Sequence, residues 1–174
     1  MAPIAIVSGC PGSGKTTLSE SLARSTPHGL HLLSDVFYRF PAVPIDPSRT
    51  ESHHQNTVVM RAVARSARAF AEGGYHVVLD GVIGPWFLPV LREELSKGET
   101  VSYMVLQVPE SEALRRVRER QGPGASATVR QMVSAFADLG ALQAHAINAA
   151  ERSAEQVLAV AQQGLREGRF HLRC

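Results

Sequence analysis

Residues Gly9-Cys10-Pro11-Gly12-Ser13-Gly14-Lys15-Thr16 follow the pattern G-x-x-x-x-G-K-[ST]. Such a loop lets successive backbone N–H groups converge on phosphate oxygens with no Cβ in the way. A helix starting where the loop ends adds the positive end of its dipole. On this reading the loop residues and Thr17 hold the phosphates of ATP. Lys15 reaches the outer phosphates, and the Thr16 hydroxyl is offered to Mg²⁺. The pattern arises by chance in roughly one chain of this length in a hundred, so its context matters. Ile4-Ala5-Ile6-Val7 before it reads as a buried strand. Thr17 to Leu22 after it places Leu18 and Leu22 on one helical face.

Three further groups carry potential chemistry. Asp35 ends a second apolar run, and ligands of open α/β sheets sit beyond the carboxyl ends of strands. A carboxylate there could accept the proton of an acceptor hydroxyl during phosphoryl transfer, or merely cap a turn. Asp80 follows Val77-Val78-Leu79 and is expected to position Mg²⁺ or to contact the acceptor. Arg115, Arg116, Arg118 and Arg120 share one helix, and arginine stabilises charge building on a transferring phosphoryl group. Arg116 and Arg120 lie four apart on one face and are the preferred pair. Arg115 and Arg118 better suit a solvated face with Glu112 and Glu119 as partners.

The elements that must position these groups alternate between strand and helix, which predicts a parallel sheet covered by helices on both faces. Strands are expected at 4–7, 30–33, 76–81 and 101–108, with a short fifth at 145–147. Pro41, Pro44 and Pro47 exclude regular structure over 41–50. A long helix then buries Val59, Met60, Val63, Ala67 and Phe70 and stops at Gly73-Gly74. Pro85 suits the first turn of a helix running toward Leu95. Further helices hold Leu114 with Val117, and Val129, Met132, Val133 with Phe136. Ser153 and Gln156 form a capping box that opens a last helix through Val157, Leu158, Ala161 and Leu165.

Bulk properties bound the rest. With 174 residues, 44% of them hydrophobic, the chain is expected to form one domain, 1–174, with a real core. No apolar run reaches the length of a membrane span, and no leader precedes the first strand, so a cytoplasmic location is expected. Cys10 in the loop and Cys174 at the end do not suggest a structural disulfide, and no His/Cys spacing suggests zinc. A net charge of +2 and 6% aromatics argue against nucleic acid as a partner. No membrane partner is expected either. The basic residues are lopsided: Lys15 and Lys97 stand against sixteen arginines.

The loop at 9–16, Asp35, Asp80-Gly81 and the arginine helix before Gly122-Pro123-Gly124 come in an order that resembles the small P-loop kinases. Among these the chain looks most similar to chloramphenicol-phosphotransferase-like and gluconate-kinase-like enzymes. The resemblance implies a P-loop NTPase fold with a five-stranded parallel sheet in the order 2-3-1-4-5. It also implies a mobile arginine lid over ATP, and an aspartate at the position of Asp35 as the base. The expected activity is ATP-dependent transfer of a phosphoryl group to a hydroxyl of a sugar, a nucleoside-like compound or an antibiotic, the last implying resistance. Catalytic work would fall to Asp35, Lys15, Arg116 and Arg120. The family's acceptor region would cover the polar cluster of Arg49, Glu51, His53, His54, Gln55 and Asn56, although exposed first-turn residues explain it as well. Arg39 and Trp86 are weaker substrate contacts, Trp86 being the more expected in the core, and Cys10 is a small filler. The alternatives are an ATP-binding switch without an acceptor and a toxin-like or nucleic-acid-end kinase of related fold.

Overall fold

A computed structural model describes residues 2–95, 98, 100–122, 124 and 126–172. Lys97, Cys174 and Pro123 of the expected Gly-Pro-Gly segment lie outside the described residues. Five parallel strands form the sheet: β1 (Ile4–Gly9), β2 (Gly29–Leu33), β3 (His76–Asp80), β4 (Val101–Gln107) and β5 (Ala146–Asn148). Their order is β2-β3-β1-β4-β5. The strand sequences explain the order. β1, β3 and β4 are apolar almost throughout and lie buried in the middle, whereas β2 with its half-buried residues takes an edge.

The helices follow from the handedness of parallel crossovers. From β1 the chain steps outward to β2 through α1 (Lys15–Arg24), then back to β3 through α2 (His53–Glu72), so these helices cover opposite faces. The next crossovers run in the direction of α2. They carry α3 (Leu88–Leu95), then α4 (Glu110–Gln121) and α5 (Ser126–Ala135). Accordingly α3 packs on α2, while α6 (Ala154–Arg166), after β5, packs on α1. Among the described residues no helix is long and apolar enough to cross a membrane.

One core joins both layers. Val59, Met60, Val63, Ala67 and Ala71 form the inner face of α2, each large side chain contributing about 1.5–3 kcal/mol through burial. Phe70 does not share that face: it is 40% exposed and meets Tyr75 edge-on, since the burial stripe passes through Ala67 and Ala71 instead. The first turn after Pro85 is a 3-10 turn, Pro85–Phe87, that leads into α3. At the head of α6, Ser153 and Gln156 make both hydrogen bonds of the capping box. Beyond α6, Ser102 of β4 bridges to His171 antiparallel, filling the edge that three-residue β5 leaves open.

Two local constraints set the ends of β2 and β3. At the start of β2, a Cβ on Gly29 would lie 1.9 Å from the carbonyl oxygen of Ala23 in α1. At the other end, a Cβ on Gly81 would lie 1.9 Å from the Oγ of buried Ser34. Gly29→Ala should therefore lower stability by roughly 1–3 kcal/mol, because the obstacle is backbone that cannot rotate away. Urea unfolding checks this: the midpoint should fall with the slope unchanged.

Candidate active site

The loop between β1 and α1 is shaped by glycine. Gly9, Gly12 and Gly14 all have positive φ, at 147°, 83° and 94°. At Gly12 the requirement is double, since a Cβ would also stand 2.7 Å from the carbonyl oxygen of Ala113 in α4. Gly14 caps α1 without a side chain, and the first turn of the helix holds no acidic residue. The free N–H groups and the dipole there keep their positive character and favour an anion. Ser13 Oγ, buried inside the loop, has no hydrogen-bond partner among the described residues.

Helix α4 completes this anion site. Arg116 donates to the carbonyl oxygen of Gly12 at 3.2 Å and also to the Glu112 carboxylate, which tethers the guanidinium to the loop. A cavity of about 390 Å³ opens there, and Lys15, Thr16, Thr17, Arg116 and Arg120 all line it. The structure thus brings the expected phosphate-site residues together with the preferred arginine pair. Glu112 partners Arg116, rather than Arg115 or Arg118 as expected, because i,i+4 spacing places it under Arg116. Glu119 pairs with Arg115 at 2.8 Å and also reaches the cavity wall. A neighbouring cavity of about 160 Å³ extends from Ser13, Gly14 and Thr17 to Ala149, Arg152 and Val157. Sequence reading missed Arg152, which has no motif around it. The loop before α6 brings it beside the phosphate loop, where its guanidinium donates to the carbonyl of Asn148.

On the other side of Pro11 lies a larger cavity of about 570 Å³, lined by Asp35, Tyr38, Trp86, Phe87 and Met132 among others. Asp35 is an exposed residue in the 3-10 segment Ser34–Arg39 just past β2. Although β2 is the sheet edge, this segment carries Asp35 to the same cavity as Pro11. Tyr38 feels it: burial, then the nearby Asp35 charge, pushes the phenol up to about 12. Trp86 is not core, contrary to expectation. It is 47% exposed, 5.6 Å from the Phe136 ring, and walls both this cavity and the next. Ile83 holds the chain that leads to it. Its carbonyl accepts from Ser8 Oγ and Tyr103 Oη, both at 2.8 Å, and its N–H donates to Ser8 Oγ at 3.0 Å. His53 and Arg49 line the cavity beyond Trp86, about 520 Å³ in volume. His54 is exposed on the first turn of α2, and Arg39 is exposed and not among the residues lining the Asp35 cavity.

Asp80 ends β3 beside Val7 and is 4% exposed. Its Oδ2 lies 3.3 Å from His31 Nε2, while its Oδ1 is buried with no partner among the described residues. His31 also escaped sequence reading; the parallel register that sets Leu33 opposite Asp80 is what brings it in. No group of three or more His, Cys, Asp or Glu side chains suited to a metal occurs among the described residues. A hydroxyl from Thr16 and one orphaned carboxylate oxygen do fit a magnesium ion that takes its other ligands from phosphate and water.

Residues 5–132 match the AAA domain family. None of the curated proteins matches the chain. Among solved structures, a sugar kinase from Janibacter sp. HTCC2649 superposes with a TM-score of 0.70 at 23% identity, covering 95% of both chains. The tunicamycin resistance protein of Deinococcus radiodurans gives 0.68 at 19% identity over the full length of both. A gluconokinase from Sinorhizobium meliloti 1021 gives 0.67 at 17% identity, covering 96% of this chain and 93% of the other. The chain thus shares a kinase-like P-loop fold with all three.

Cys10 sits in this loop, 2% exposed, and burial raises its thiol above the ordinary value despite Lys15 and Arg116 nearby. The thiolate is the reactive form, so at pH 8 its fraction is depressed. In a Cys174→Ser background, Cys10 should react with a thiol reagent at least tenfold more slowly in the native protein than in urea. Equal rates would contradict the burial.

Proposed function

The chain belongs to the AAA domain family, and on that footing we propose that it is an ATP-dependent phosphotransferase acting on a hydroxyl of a small molecule. One observation carries the proposal: Pro11 of the phosphate loop and the carboxylate-bearing Asp35 line the same cavity of about 570 Å³. A nucleotide switch has no need of a roomy second compartment with a carboxylate beside its phosphate site. A sugar, a nucleoside-like compound or an antibiotic all belong to the acceptor class, and phosphorylating an antibiotic would confer resistance.

In this mechanism the loop N–H groups and Lys15 hold the triphosphate, and the 160 Å³ cavity reaching Arg152 receives the base side of the nucleotide. Thr16 and Asp80 are the groups that would hold Mg²⁺, which when bound neutralises phosphate charge. Asp35 accepts the proton of the acceptor hydroxyl as its oxygen bonds to the γ-phosphorus. The bond from that phosphorus to the β,γ-bridging oxygen breaks, and ADP leaves. Arg116 and Arg120 face the charge that develops on the transferring group. Arg116 is already fixed to the Gly12 carbonyl, so it requires little reorganisation. Arg120 stands at the end of α4, where the segment 118–128 would act as the lid. The working unit is one domain over 1–174.

Lys15→Ala should leave the fold intact and lower transfer roughly a thousandfold. Asp35→Asn should keep ATP affinity within a few-fold and lower acceptor-dependent ADP release by roughly 10²–10⁴. An asparagine would cap a turn as well as aspartate does, so full activity in that variant would remove the base role.

A further inference from the structure

Resting on the phosphotransferase reading above, we propose that the acceptor is a hydroxyl compound with a large apolar body and no negative charge, and that sugar acids are rejected. The apolar part of the Asp35 cavity wall is built from Pro11, Tyr38, Val82, Trp86, Phe87 and Met132 among others. An aromatic or aliphatic body gains most against such a surface, because the half-exposed indole of Trp86 is apolar area that a ligand removes from water. Ser34, Ser48, Asn56, Thr128 and Gln131 interrupt the apolar surface, so a polyol finds partners at those points and none along the aromatic and aliphatic stretches between them.

Charge makes the second half of the case. Among the described residues no Lys, Arg or His lines this cavity, and its charged residues are Asp35 and Asp46. Asp46 accepts from the Ser48 N–H at 2.9 Å and the Ser48 hydroxyl at 2.8 Å, which holds its carboxyl below the usual range and keeps it ionised. Tyr38, pushed to about 12, stays neutral. Both charges on the wall are therefore negative, and an anionic ligand entering here meets repulsion with no cation among the described lining residues to pair it. Arg49 and His53 line the neighbouring cavity, which shares Asn56, Trp86 and Phe87 with this one. The Arg49 charge also acts on Asp46, but its guanidinium is paired with Glu51 at 2.8 Å. An acid group held there would occupy a compartment that Asp35 does not line.

Trp86 is the one tryptophan of the chain, so its emission reports occupancy of the cavity directly. The protein over residues 1–174, without ATP, is titrated with 3-phenyl-1-propanol, its acid counterpart 3-phenylpropanoate, and gluconate. The alcohol should shift Trp86 emission with an affinity at least tenfold tighter than the acid, and gluconate should leave it unchanged. In Gln131→Arg, which sets a cation in the wall, the acid should gain at least tenfold on the alcohol. Equal or tighter binding of either anion to the native protein overturns the proposal, and so does silence from all three compounds. ADP release on the same compounds reads the underlying activity separately. Turnover of gluconate would remove the acceptor class and keep the kinase. Binding of the alcohol with no hydroxyl compound stimulating ADP release would keep the class and remove the kinase.

Discussion

Everything at the site depends on how closely the phosphate loop lies against α4. Gly12 has room for no side chain, because Ala113 of that helix is already there. The contact does two things at once. It fixes the loop in the left-handed turns that aim its N–H groups, and it brings Arg116 within hydrogen-bonding distance of the Gly12 carbonyl. A backbone anion site and a guanidinium are thereby preorganised against each other before any ligand arrives. The 10-residue helix α1 then contributes an N-terminus with no acidic residue to quench it.

The cavity at Asp35 is held by different means. Ser34 is buried against Gly81, tying the exit of β2 to the exit of β3. From there Ser8 and Tyr103 clamp Ile83, which anchors the turn bearing Trp86 to the central strands. Asp35 and Trp86 thus reach one cavity from two strands that pair directly, although neither residue is itself part of the sheet. The same economy of contact explains the mixed character of this region. The backbone is pinned by a few buried hydrogen bonds, while Trp86, facing the cavity, keeps nearly half its surface open.

How much of this was legible in the sequence depended on whether the signal was local. The phosphate loop, the strand-helix alternation and the capping box at Ser153 are short-range patterns, and the structure has them where the pattern placed them. The sheet order came from the family resemblance and holds as well. Trp86 was misjudged because hydrophobicity says that a side chain prefers burial, not that its neighbours leave it room. Phe70 fits the apolar spacing yet lies outside the buried stripe, because the alanines at 67 and 71 suffice to fill it. The partner of Glu112 was a matter of which i,i+4 neighbour the loop also attracts. His31 and Arg152 were invisible for a further reason. Their place beside Asp80 and the phosphate loop is set by parallel register and by the loop before α6, which are long-range properties with no motif of their own.

The central claim is that the γ-phosphoryl group crosses from the loop to a hydroxyl held beside Asp35. Mass spectrometry with ATP carrying ¹⁸O in its three non-bridging γ oxygens tests it most directly. With an accepted hydroxyl compound, the account predicts ADP together with an acceptor phosphomonoester that retains all three labelled oxygens. Release of labelled inorganic phosphate as the only phosphorylated product, at a rate indifferent to every hydroxyl compound offered, would contradict it and leave a nucleotide hydrolase.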